Sequence, residues 1–144
     1  MGQRLGRIAA ATSASAGALI LMSCATQSDA PATFAATVTV TGEADQASAG
    51  SGVCTFGATR LAPNDEVGLY GEGPAAITKS TLEAESIDEH PDGTGVCTYK
   101  AHFDAVPANQ RSYELLVGND FVEKSFTSGE LQNGATYVVP SSAP

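Results

Sequence analysis

The sequence predicts an all-β protein: an antiparallel β-sandwich held by one disulfide and preceded by a signal peptide. Three observations predict it. Short runs of β-branched and aromatic residues alternate with polar ones at period two. Turn residues recur about every eight to twelve positions, and no helical periodicity runs long. Two cysteines, Cys54 and Cys97, sit in near-twin settings, Ser-Gly-Val-Cys-Thr-Phe and Thr-Gly-Val-Cys-Thr-Tyr.

The first 23 residues read as a leader. Arg4 and Arg7 are followed by a small and apolar run from Ile8 to Met22, and no acid precedes Asp29. That run would make a helix about 22 Å long, short of the roughly 30 Å of a bilayer's hydrocarbon core. A positive start, a short apolar middle and small residues at the end describe a secretory signal. The run closes on Leu21-Met22-Ser23-Cys24, which resembles the bacterial lipobox. The resemblance implies diacylglyceryl modification of Cys24 and cleavage just before it. Lipidation there implies anchoring at the extracytoplasmic face of the cell membrane, since two acyl chains hold stably where one does not. The alternative is a plain secretory signal cut after Ala25 or Ala30, which would discard Cys24 and leave the protein secreted. Residues 24–32 are small, polar and Pro-containing, a flexible tether.

Residues 33–140 form one expected domain, large enough for a single core, and residues 141–144 a frayed tail. Loss of the leader removes Arg4 and Arg7 and no acid. Five Lys or Arg then face sixteen Asp or Glu, a net charge of −11. Such a surface argues against a nucleic-acid partner and against lying flat on anionic lipid. With Cys24 assigned to lipid, the remaining cysteines are even in number. Export places Cys54 and Cys97 where a disulfide is the default. No Cys-x-x-Cys is present and neither histidine lies at metal-ligand spacing, so a zinc or redox pair is the poorer reading.

The strands follow in order. Phe34, Ala36, Val38 and Val40 alternate with Thr37, Thr39 and Thr41, the signature of a half-buried strand. A polar, Gly-rich stretch, 42–52, reads as a loop. Residues 53–58 read as a short strand, and Leu61 to Asp65 as a turn. Val67 and Leu69 share a face in the next strand, and residues 75–83 form another. Residues 84–95 read as a polar excursion with an Asp92-Gly93 turn. From Val96 to Val106, Cys97, Tyr99, Ala101 and Phe103 share one face, and Thr98, Lys100, His102 and Asp104 the other. Residues 112–118 and 121–126 form a hairpin about Gly118-Asn119-Asp120. A helical turn capped by Ser128 follows, and Ala135 to Val139 close the domain. About eight strands result.

In order, Cys54, the Glu66–Tyr70 block, Leu82, Cys97-Thr98-Tyr99, Phe103, Val106-Pro107, Tyr113-Glu114-Leu115, Val117-Gly118 and Ser128 to Leu131 resemble small exported proteins and lipoproteins of actinobacteria. The resemblance covers residues 50–140 and implies no activity. The middle of this pattern is also similar to prealbumin-like and Cna-B-type sandwiches, so the sandwich is expected to be prealbumin-like or immunoglobulin-like. Some Cna-B-type domains carry a Lys–Asn isopeptide bond. Lys79, Lys100 and Lys124 lie on polar faces or beside acids here, so that bond is not carried over.

Candidate chemistry is sparse. His102 has Asp104 two residues away but no Gly-x-Ser-x-Gly elbow, and reads as part of a solvated face. The acids from Asp88 to Asp92 lack EF-hand spacing and read as a solvated loop. Tyr70, Tyr99, Tyr113 and Phe103 read as core. No catalytic or metal residue and no cofactor is assigned. The expected role is a non-catalytic binding or envelope accessory module, with the membrane and an unidentified envelope protein as partners. A small ligand or divalent-metal carrier, or a small enzyme, is the alternative.

Overall fold

The computed structural model describes residues 30–141. The expected signal peptide, Cys24 and most of the tether lie outside the described residues, as do residues 142–144.

Strands β1 (Thr33–Ala44) and β8 (Gly95–Pro107) form the central pair of one sheet, antiparallel from Thr33 opposite Pro107 to Ala44 opposite Gly95. Their alternation holds as expected. Ala36, Val38 and Val40 are buried, as are Cys97, Tyr99, Ala101 and Phe103, while the threonines of β1 and the polar residues of β8 point outward. Outside them lie β7 (Glu83–Glu89) and β11 (Ala135–Val138), giving the order β11-β1-β8-β7.

A second sheet packs over this one, ordered β10-β9-β5-β6: β5 (Glu66–Tyr70), β6 (Ala76–Thr81), β9 (Tyr113–Val117) and β10 (Asp120–Phe126). Val67, Leu69, Tyr113, Leu115, Val117 and Phe126 close the core from this side. Gly118, at φ +64°, opens the two-residue β9–β10 turn, as tight hairpins require. A small third sheet consists of β2 (Gln46–Ser48), β3 (Val53–Phe56) and β4 (Thr59–Leu61). The fold is all-β and sandwich-like.

Five expectations change. Eleven strands are described, not about eight. The polar excursion contains all of β7 but Glu83, and the Gly-rich loop contains the end of β1 and all of β2. β7 escapes a search for periodicity because four of its seven residues are acids and only Ile87 is even half-buried. It is an edge strand, and its charges deter pairing with other chains. The expected single strand at 75–83 breaks at Leu82, which is fully buried where the chain leaves one sheet for the other. Nor is the first sheet purely antiparallel: β11 runs parallel to β1, Val38 opposite Ala135 and Thr41 opposite Val138.

The disulfide forms between Cys54 and Cys97, with Cα atoms 6.6 Å apart. It ties β3 of the third sheet to β8. Tyr99, on the same face of β8, adds to the tie. Its buried hydroxyl donates to the Gly52 carbonyl at 2.6 Å and also approaches the Leu61 carbonyl at 3.2 Å. Gly95 permits the neighbouring close approach. A Cβ there would meet the Asp88 carbonyl oxygen at 2.4 Å and the Ala47 Cβ at 2.7 Å. At the other end of β8, the Tyr113 hydroxyl donates to the Pro107 carbonyl six residues upstream, at 2.5 Å, and Phe34 meets the Tyr113 ring edge-on. That contact pins the crossing between sheets, as a tyrosine corner does.

Burial, and after it the Asp65 charge, pushes the Tyr99 hydroxyl up to about 12. A tyrosine in the unfolded chain ionises near 10. The unfolded state therefore sheds this proton first, and stability falls as pH rises from about 10 to about 12. Urea denaturation across that range should show the fall in the native sequence and a flatter curve for Tyr99→Phe. At neutral pH the same variant should lose about 1–3 kcal/mol, because two buried carbonyls lose their donor.

Candidate functional site

The two sides of the sandwich differ. On one side the chain itself crosses between sheets at Leu82, and the Ser80 hydroxyl donates to the His102 carbonyl at 2.5 Å. That side is closed. On the other side β10 and β11 are the outer strands of their sheets, and among the described residues no strand joins them. The register of β10 against β9 slips between Phe121 and Ser125, a bulge that bends an edge strand. A short helix, α1 (Ser128–Gln132), links β10 to β11, and its Leu131 is fully buried in the core. Beside it an open cleft of about 590 Å³ remains between the edges of β10 and β11.

Phe56 and Leu61 of the third sheet, with Val117 and Val122, supply apolar lining, and all four are buried. Tyr137, Val138, Val139 and Pro140 form the β11 side. Val138 is 63% exposed, the largest such exposure among the described large apolar residues. Thr59, Asp120, Lys124 and Thr136 supply the polar groups. That volume falls within the roughly 300–1,000 Å³ common to ligand clefts.

Lys124, the cation of the cleft, is already engaged. Its Nζ lies 3.9 Å from the Glu130 carboxylate and 4.9 Å from the Phe126 ring centroid. Glu130 is held in place by the helix start. The Thr127 hydroxyl accepts from the Glu130 N–H, and the Glu130 carboxylate accepts from the Thr127 N–H at 2.8 Å. That N–H is the chief reason why the Glu130 carboxyl titrates below the usual range, with the Lys124 charge a lesser one. The cap is therefore Thr127, one residue before the expected Ser128. The reason is spacing: Thr127-x-x-Glu130 makes a reciprocal capping box and Ser128-x-x-Leu131 cannot.

The other candidates are dispersed. His102 is exposed, and its Nδ1 lies 3.0 Å from the Thr37 hydroxyl on the outer face of the first sheet. Among the described residues no carboxylate is bonded to it. In the acidic turn, Glu89 accepts the Ala49 N–H, and Asp92 accepts both the N–H and the hydroxyl of Thr94. The Thr94 hydroxyl is the chief cause of the lowered Asp92 pKa. These carboxylates brace turns. Among the described residues no three His, Cys, Asp or Glu side chains gather as a metal site. Lys79, Lys100 and Lys124 pair with Glu66, Glu85 and Glu130. Tyr99, Tyr113 and Phe103 are core, as expected, whereas Tyr70 is half-buried, its ring lying 3.1 Å from the place of a Cβ on Gly68. No helix among the described residues is long and apolar enough to cross a membrane.

None of the cleft residues was singled out as a site from sequence. The one signal was local: Ala135-Thr136-Tyr137-Val138 is an uncharged strand in a strongly acidic chain. Compared with protein-family models, curated proteins and solved structures, the chain matches none.

The capping box makes a graded expectation. Thr127→Ala should cost about 1 kcal/mol in chemical denaturation. Ser128→Ala should stay within about 0.5 kcal/mol of the native value. Equal losses in the two variants would place the cap wrongly.

Proposed function

We propose that the protein is a lipid-anchored, extracytoplasmic binding module, held to the membrane through Cys24 and binding its partner at the β10–β11 cleft. The observation that carries this reading is the placement of that cleft. The chain enters the domain at Thr33, opposite Pro107. β1 then runs away from that entry, and Val138 stands level with Thr41. Eight residue steps lead from Thr33 to Thr41, about 26 Å at the usual rise. Chain entry at Thr33 and the cleft thus lie toward opposite ends of β1, which suits a domain that presents the cleft away from its anchor.

Two further features support the reading. The Cys54–Cys97 disulfide suits an oxidising compartment. The acidic surface suits a domain that stands off anionic lipid instead of lying on it. The lipobox and the likeness to exported actinobacterial lipoproteins point the same way. The cleft supplies apolar surface and strand edges without a poised nucleophile, which favours binding over catalysis.

The anchor is tested by Cys24→Ala in a bacterium that processes lipoproteins. The native protein should partition into detergent and show a diacylglyceryl mass on its N-terminal peptide. The variant should partition into water with its fold intact, because Cys24 precedes the domain. Identical aqueous partitioning of both would remove the anchor from the account.

A further inference from the structure

We propose that the occupant of the cleft is an extended segment of a partner protein, apolar residues alternating with basic ones, which adds as a strand to the free edge of β11. The inference rests on the cleft being the binding site, and names what binds there.

The first argument compares edges. The two larger sheets have four outer strands. β7 carries Glu83, Glu85, Asp88 and Glu89; β6 carries Lys79; β10 carries Asp120 and Lys124 and is bulged. Charges and bulges of this kind keep foreign strands away. β11 alone has neither, and it exposes Val138.

The second argument is the direction of its backbone groups. Val139 donates its N–H to the Thr41 carbonyl at 2.7 Å, toward β1. By strand alternation, Val138 and Thr136 turn their N–H and C=O to the free edge. An incoming antiparallel strand exchanges both N–H···O bonds with each such residue. Pro140 has no N–H and ends the edge. Side chains of the added strand then fall alternately over Tyr137 and the cleft, and beside Val138 on the outer face.

The third argument is charge. Asp120 lies on the cleft side of Val138, and Glu43 lies in the adjoining depression on its other side. The nearby cation, Lys124, is engaged by Glu130 and Phe126. Basic residues in the added strand meet an acid on each flank, Asp120 and Glu43. A second copy of the chain brings the same acids and the same net negative charge to the same edge, so self-pairing is opposed. An anionic amphiphile meets Asp120 and a lysine already in use.

The test uses hydrogen exchange on the full chain with three synthetic probes. These are a capped peptide of alternating valine and lysine, the same peptide with glutamate for lysine, and a version N-methylated along one edge. The Val-Lys peptide should protect the Thr136 and Val138 amides. Its affinity should fall about tenfold or more with N-methylation, with glutamate, and in Val138→Pro. If Val138→Pro disturbs the circular dichroism, Val138→Lys charges the edge and leaves the ladder N–H in place; it should weaken the Val-Lys peptide similarly. The inference is overturned by binding indifferent to N-methylation, by protection confined to other strands, or by no protection at β11. Protection of β11 without peptide, together with a dimer in sedimentation, overturns it in favour of self-pairing. A partner that crosslinks to Tyr137 in intact cells, with β11 amides unprotected, removes strand addition and leaves the binding-module reading standing.

Discussion

One clasp holds the third sheet to the rest of this protein: the Cys54–Cys97 bond, with the Tyr99 hydroxyl beside it. The third sheet has only three short strands, of three, four and three residues. A unit so small is marginal alone in water. Closing the chain across 43 residues restricts the unfolded state by about 4 kcal/mol, and the Tyr99 hydrogen bond adds a directional constraint. Phe56 and Leu61 are thereby held against the core, where they line the cleft. The cleft depends on the clasp, although neither cysteine lines it.

The same fold explains why the cleft opens where it does. A strand that changes sheets at Leu82 closes one side of the sandwich. On the other side the change of sheets passes through α1, which is five residues long and fills only part of the gap. What is left is bounded by two strand edges of unlike character, one bulged and charged, the other plain. Stability and recognition are thus divided between the two sides. The closed side carries the acidic edge of β7, and the open side carries Val138.

The sequence made the long strands legible and left the short ones obscure. β1 and β8 declare themselves because each buries one face completely while the other meets water, so period two is printed in the residues. The β9–β10 hairpin is legible through Gly118, and the disulfide through export and an even count of cysteines. β7 is illegible because neither of its faces is buried; it is a strand only because β8 offers it a ladder. The parallel pairing of β11 with β1 is set by how α1 returns the chain, not by the residues of β11 themselves. The cap slipped by one residue because Ser128 and Thr127 are both good caps, and only Glu130 decides between them. Beyond the uncharged run of β11 the cleft was not legible: Phe56, Val122 and Val138 are far apart in sequence, and each reads as an ordinary core residue.

The measurement that tests this account most directly is residue-resolved hydrogen exchange on the oxidised and the reduced protein. With the disulfide intact, amides of β3 and β4 should be protected nearly as well as those of β1 and β8. After reduction, protection should fall across β2, β3 and β4 while the β1–β8 ladder keeps most of its own. Protection in the third sheet that survives reduction unchanged, or a collapse spread evenly over all three sheets, would contradict the clasp as the organising contact.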